Sequence, residues 1–169
     1  MRRGQTYALL GLATLALLLA GARAGSTAAS SYAPEQPIAF HHRDHVVTDR
    51  LNCELCHSGV RRSAFAGIAP VERCMGCHRV VVPQHPEVVK LRRYYEAGKS
   101  VRWVKVNSLP RFVHFSHEAH TRGGVACETC HGNVAEMDRV ARVRTLTMGW
   151  CVDCHRKAHA PDDCLTCHY

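Results

Sequence analysis

Aliphatic bulk is what this 169-residue chain has least of. With the first 24 residues and the cysteines set aside, apolar side chains make up only roughly 37 per cent of the remainder, which is lean for a globular protein. No long hydrophobic run follows Ala22, which excludes a multi-span membrane protein. The 12 Gly and 7 Pro carry no collagen-like or low-complexity pattern. Acidic residues are also short, 14 Asp+Glu against 22 Lys+Arg, for a formal charge of +8 and a pI near 9.2. Such a balance ordinarily points to nucleic acid or an anionic membrane surface. The abundant residues lead elsewhere: 10 Cys and 13 His.

Residues 1–24 have the form of an export signal, with Arg2 and Arg3 at the start, an uncharged apolar run over residues 7–20, and Ala22-Arg23-Ala24 as a cleavage site. Cleavage there leaves Gly25 as the first residue. The uncharged stretch over residues 6–22 also reaches the lower limit for a spanning helix, so a retained membrane anchor is the alternative. In both cases the rest is delivered across the membrane, to the periplasm or its membrane face, where thiols undergo covalent chemistry. Loss of Arg2, Arg3 and Arg23 brings the charge down to +5.

Every cysteine belongs to one of five copies of a single pattern: Cys53-x-x-Cys56-His57, Cys74-x-x-Cys77-His78, Cys127-x-x-Cys130-His131, Cys151-x-x-Cys154-His155 and Cys164-x-x-Cys167-His168. This is the attachment sequence of c-type haem. Two thiols three residues apart on a helical turn reach the two vinyl groups of one porphyrin, and the next residue, His, ligates the iron. Zinc sites also use Cys-x-x-Cys pairs, but they do not require His after every second Cys, and ten thiols divide awkwardly among tetrahedral sites. Five disulfides would leave the five histidines unexplained. The expectation is five covalent haem c groups and their iron.

Eight histidines remain: His41, His42, His45, His85, His114, His117, His120 and His159. Four of them stand in a repeated phrase, Phe40-x-His42-x-x-His45 and Phe115-x-His117-x-x-His120, each just ahead of a Cys-x-x-Cys-His motif. Histidines three apart share one side of a helical turn, so each pair can serve two neighbouring irons as distal ligands. His41, His85 and His114 read as ordinary solvated or hydrogen-bonded side chains. The fifth distal position is open among His159, Met148 and Met137, and a thioether there would raise that haem's potential.

The repeat divides the chain into a flexible lead-in (25–39), a dihaem module (40–79), a linker (80–111) and a trihaem module (112–169). The linker alone has ordinary secondary-structure signals. Residues 86–97 predict a helix with Pro86 in its first turn and Gly98 as its stop, and residues 101–106 alternate around Trp103 like a short strand. After cleavage 145 residues serve five cofactors, about 29 each, below the roughly 40 at which a polypeptide manages without metals or disulfides. The predicted fold is therefore that of a multihaem cytochrome c, mostly loops and short α-helices around five covalent haems, with little or no β-sheet. The basic side chains then read as counter-charge to haem propionates, which are ionised at neutral pH.

From Phe40 onward the chain resembles the pentahaem cytochrome c subunit of alternative complex III, a quinol-oxidising bacterial membrane complex, and more broadly the class III multihaem cytochromes c. The likeness is carried by Phe40-x-His42-x-x-His45, Ala66-Gly-Ile-Ala-Pro70 leading into Cys74-Met-Gly-Cys-His78, Pro86-Glu-Val-Val-Lys-Leu-Arg92, Trp103-Val-Lys-Val106 with Leu109-Pro110, Phe115-Ser-His117-Glu-Ala-His120, and Met148-Gly-Trp-Cys-Val-Asp-Cys-His-Arg156. The resemblance implies mainly bis-His haems and an electron wire on the periplasmic face. Its partners would be iron–sulfur and membrane quinol-oxidising subunits on one side and a monohaem cytochrome c or terminal oxidase on the other. A free periplasmic shuttle or extracellular wire is the alternative function. A haem-dependent reductase ranks third, because the chain has many spare ligands and no Cys-x-x-Cys-Lys site. No catalytic residue and no nucleic-acid partner are expected.

Overall fold

Each Cys-x-x-Cys-His motif winds into a helical turn, and these turns are most of the regular structure. The computed structural model describes residues 32–169; the expected export signal and the first part of the lead-in lie outside the described residues. In order come α1 (Cys53–Cys56), α2 (Val71–His78), α3 (Pro86–Glu96), α4 (His117–Arg122), α5 (Cys127–His131), α6 (Met148–Lys157) and α7 (Cys164–Cys167). A π-helical turn over Arg43–Thr48 precedes α1 and a 3-10 turn over Val134–Glu136 follows α5. No strand forms among the described residues, as the expectation of loops and short helices required.

The helix expected over residues 86–97 forms as α3, which ends one residue sooner. His85 accepts the Glu87 N–H at 3.3 Å through Nδ1, and Pro86 opens the first turn, where its missing N–H costs nothing. At the other end Gly98 takes φ +61°, and the N–H groups of Gly98 and Lys99 return to the carbonyls of Tyr95 and Tyr94 at 3.0 and 2.9 Å. This is a Schellman stop, which glycine adopts without steric cost.

Val88 and Leu91 of α3 are buried, and Leu91 packs with Val71 and Met75 of α2. Ile38 from the lead-in and Val101 from the linker complete this small core, with Cys74, Tyr94, Tyr95 and Trp103 packed against it. The lead-in, expected to be flexible over 25–39, is held along its described part. The Gln36 side chain donates to the Val104 carbonyl at 3.0 Å and accepts the Val104 N–H at 2.9 Å, and Ala39 N–H donates to Glu87 at 2.8 Å.

Those Gln36 bonds also correct the expected strand at residues 101–106. Val104 finds its hydrogen-bonding partners in a side chain, and the Val106 carbonyl accepts from Arg142 Nε at 2.9 Å. The alternating pattern buries Val101 and half-buries Trp103, but no second extended segment lies alongside to form a ladder.

The second histidine phrase is seated on the loop that follows His57. His117 N–H donates to the Ala64 carbonyl at 3.2 Å, Glu118 N–H to Ser63 at 3.1 Å, and the Thr121 hydroxyl to Val60 at 3.0 Å. The first phrase packs on the turn that follows α5. Arg43 donates to the Glu136 carbonyl at 2.8 Å and pairs with Asp138 at 3.3 Å, while His42 N–H donates to Met137 at 3.2 Å. Gly59 lets the loop after His57 close. A Cβ there would lie 2.5 Å from the Phe65 carbonyl oxygen and 3.0 Å from that of Ala66, both backbone atoms with nowhere to move. Gly59→Ala is expected to cost about 1–3 kcal/mol through this overpacking, read as a lower Tm of the haem-loaded protein.

No helix of the described residues is long and apolar enough to cross a membrane.

Candidate functional site

Three of the five motif turns are held at their starts by short polar side chains, whereas α2 and α5 begin at Pro70 and Ala126 without a side-chain cap. Asn52 accepts Glu54 N–H at 2.8 Å ahead of α1, Thr147 accepts Trp150 N–H at 3.4 Å ahead of α6, and Asp163 accepts both the N–H and the hydroxyl of Thr166 ahead of α7. The two cysteines of each motif are thus three apart on one helical turn, and all ten thiols are free and exposed or half-buried. Apolar side chains nearby stand open: Leu55 and Leu165 inside two motifs, Phe65 at 80% exposure and Met148 at 68%. Side chains of this size left bare around paired thiols suit a flat apolar group laid against them.

The histidine rings are oriented by their Nδ1 atoms. Among the motif histidines, His57 Nδ1 lies 2.7 Å from the Gly67 carbonyl, His78 3.2 Å from Val81, His155 2.6 Å from Pro161 and His168 2.7 Å from Phe112. In the two phrases, His45 Nδ1 meets the His41 carbonyl at 2.9 Å, His117 meets Ala64 at 2.9 Å and His120 meets Ser116 at 2.8 Å. A carbonyl only accepts, so each Nδ1 carries the proton and Nε2 keeps a free lone pair. That is the tautomer and orientation a metal-ligating imidazole requires. His131 Nδ1 lies 3.2 Å from the Asn107 amide instead. The exception is His42, whose Nδ1 is buried without a partner.

Three rings from the phrases face three rings from the motifs. The centroids of His45 and His78 are 5.9 Å apart, those of His117 and His131 6.3 Å, and those of His120 and His155 5.9 Å. A metal ion bonded at about 2 Å to one nitrogen of each of two imidazoles separates their centres by about 6 Å. Direct stacking would bring flat rings closer, as Phe40 and Phe115 show at 4.3 and 4.5 Å from His45 and His120. The ring pairs are spaced to admit an iron between them. His42 lies near His57; burial first, then the charges of His57 and His45, lower its pKa to about 4 and keep the ring neutral. Burial and then His117 likewise push His131 down.

Two comparisons bear on what these donors hold. Residues 113–169 match the family model for cytochrome c7 and related cytochrome c. The chain is also 30% identical over 161 residues to the multiheme cytochrome c subunit of menaquinone reductase from Nitratidesulfovibrio vulgaris (strain Hildenborough), an alignment spanning 79% of this chain and 77% of that relative. The chain belongs to the multihaem cytochromes c. Covalent haem c and electron transfer follow from that membership. The donor set fits the group, since each described motif places two thiols and an oriented imidazole together.

The motif thiols of this cytochrome are shifted by burial and by one another. Burial, followed by a neighbouring thiol, pushes Cys74 up beside Cys56, Cys127 up beside Cys53, Cys130 up beside Cys154, and Cys151 up beside Cys167. The ring neighbour of His168 is Phe112 at 5.9 Å, and no described ring pair joins it to His159. Met148 stands exposed at the start of α6, His159 is exposed with φ +53°, and Met137 lies by the first phrase, where its carbonyl accepts from His42. His41 pairs with Asp44 at 3.4 Å, His85 caps α3, and His114 stacks on Tyr169 at 4.2 Å.

Sequence reasoning placed the two phenylalanines in the repeated phrase but missed their role, and it missed Asn107. In each phrase the ring meets its first histidine edge-on, at 4.9 and 4.8 Å, and stacks on the second at 4.3 and 4.5 Å, so Phe40 and Phe115 prop both imidazoles. Their recurrence at the same offset was the available signal. Asn107 had none, because the contact joins residues 24 apart through a loop.

Proposed function

We propose that the chain carries electrons through five covalent haem c groups on the periplasmic face of the membrane, as a subunit of a quinone-linked respiratory complex of the alternative complex III kind. The observation that carries this reading is the set of three imidazole pairs spaced 5.9–6.3 Å apart, each joining a phrase histidine to a motif histidine. Haem c, when bound, supplies one-electron oxidation and reduction at its iron.

The chain's own residues do the rest. The ten cysteines, Cys53, Cys56, Cys74, Cys77, Cys127, Cys130, Cys151, Cys154, Cys164 and Cys167, hold the cofactors covalently, so none is lost from a surface with so little core. His57, His78, His131, His155 and His168 would hold the iron within their own motifs, with His42, His45, His117 and His120 as the second imidazoles. At the three sites where a phrase ring faces a motif ring, His45 with His78, His117 with His131 and His120 with His155, a bound haem would have an imidazole on each side, which would keep small oxyanions off the iron and favour electron passage. The export signal supports a periplasmic location. The relative's name, a menaquinone reductase subunit, supports a quinone-linked complex with iron–sulfur and membrane subunits as partners and a monohaem cytochrome c or terminal oxidase beyond them.

Purification from host membranes in mild detergent tests this. Five haems by mass, together with co-purifying iron–sulfur and membrane subunits, are the expected result. A lone soluble cytochrome would replace the complex with a free shuttle.

A further inference from the structure

Taken in chain order, the five motifs are sites 1 to 5, but their packing does not keep that order. The first phrase serves two sites from one turn: His45 faces His78 of site 2 at 5.9 Å, and His42 lies by His57 of site 1. The second phrase serves sites 3 and 4 in the same manner, through His117 with His131 and His120 with His155.

Two junctions join the halves: the turn of the first phrase, where Arg43 and His42 donate to Glu136 and Met137, and the loop of site 1. Val60, Ser63 and Ala64, all in the loop that follows His57, accept from Thr121, Glu118 and His117 of α4, and the His117 imidazole itself is oriented by the Ala64 carbonyl. Site 2 has a different neighbourhood. Its helix α2 packs on α3 and the lead-in, and among the described residues no hydrogen bond or ion pair joins residues 71–82 to residues 112–169. At the far end, the Pro161 carbonyl that orients His155 of site 4 lies three residues before Cys164 of site 5, and Cys167 accepts His114 N–H at 2.8 Å.

We propose that the sites form one unbranched row in the order 2, 1, 3, 4, 5, so that site 2 is an end of the row and site 1 is the crossing between the two modules. This order rests on the five-haem reading proposed for the chain.

The test is a redox titration of the haem-loaded full chain followed by proton NMR, with the haem methyl signals assigned site by site. In His117→Met a thioether raises the midpoint of site 3. Site 3 is then reduced earlier and places its added negative charge beside its neighbours, an effect that fades with distance. Midpoints of sites 1 and 4 are expected to fall more than those of sites 2 and 5. A fall at site 2 in place of site 1 overturns the order. His45→Met at site 2 gives a second reading that does not disturb the Ala64 junction. One responding neighbour, site 1, is expected, and two would show that site 2 is no end. Haem mass is read first: fewer than five haems overturns the five-haem reading beneath the order, whereas five haems with other neighbours overturn the order alone.

Discussion

A chain with its ten cysteines replaced by serine will show no cooperative unfolding transition, because it will have no fold to lose. The buried apolar residues of the described chain are Ile38, Val71, Met75, Val88, Leu91 and Val101. All sit around α2, α3 and the flanking extended segments. Burying a side chain of this kind contributes about 1.5–3 kcal/mol, whereas ordering the backbone costs about 1–2 kcal/mol for every residue fixed. Six such side chains cannot hold a unit running from Tyr32 to Tyr169. The stretch over residues 112–169 fares worst, since none of its residues is buried. Its turns over Cys127–His131 and Cys164–Cys167 are far below the length at which an isolated helix persists. Far-ultraviolet circular dichroism through a thermal scan is the measurement. A single sigmoidal transition in the serine chain would show that the polypeptide carries its own core and would refute this account.

His120→Ala in the haem-loaded protein is expected to convert the haem held by His155 from low to high spin and to let that one bind carbon monoxide. His120 stacks on Phe115 at 4.5 Å, gives its Nδ1 proton to Ser116 and faces His155 at 5.9 Å. No other described imidazole faces His155 in this manner, so the truncated site is left with one axial ring. His159→Ala, changing an exposed residue that meets none of the motif rings, is the control and leaves the sites paired by His45, His117 and His120 low-spin. Electron paramagnetic resonance and the carbon monoxide difference spectrum read both variants. A wholly low-spin His120→Ala protein would remove His120 from the ligand set.

Both results rest on features that differ in how openly the sequence displays them. Five Cys-x-x-Cys-His motifs are local patterns, complete within five residues, so their chemistry is legible without a fold. The same holds for the two histidine phrases, whose spacing of three places both rings on one turn. The helix over Pro86–Glu96 was equally visible, because proline at one end and glycine at the other act through the backbone of their own neighbours. The strand expected at residues 101–106 failed for the opposite reason. Strand formation needs a second segment, and the alternating pattern around Trp103 says nothing of Gln36, 68 residues before Val104, which takes the backbone groups a partner strand would have used.

What the sequence by itself determined is the inventory: which atoms bind, how many pairs of thiols exist, and which histidines stand three apart. A spacing along the chain is enough for that, because helical geometry within one turn is the same wherever the turn lies. Only the tertiary structure decided which phrase histidine faces which motif histidine, which carbonyl holds each ring, and that the loop after His57, in place of the later one after His78, seats the second module. Those pairings join residues tens of positions apart, through carbonyls that every residue possesses, so no side-chain pattern announces them.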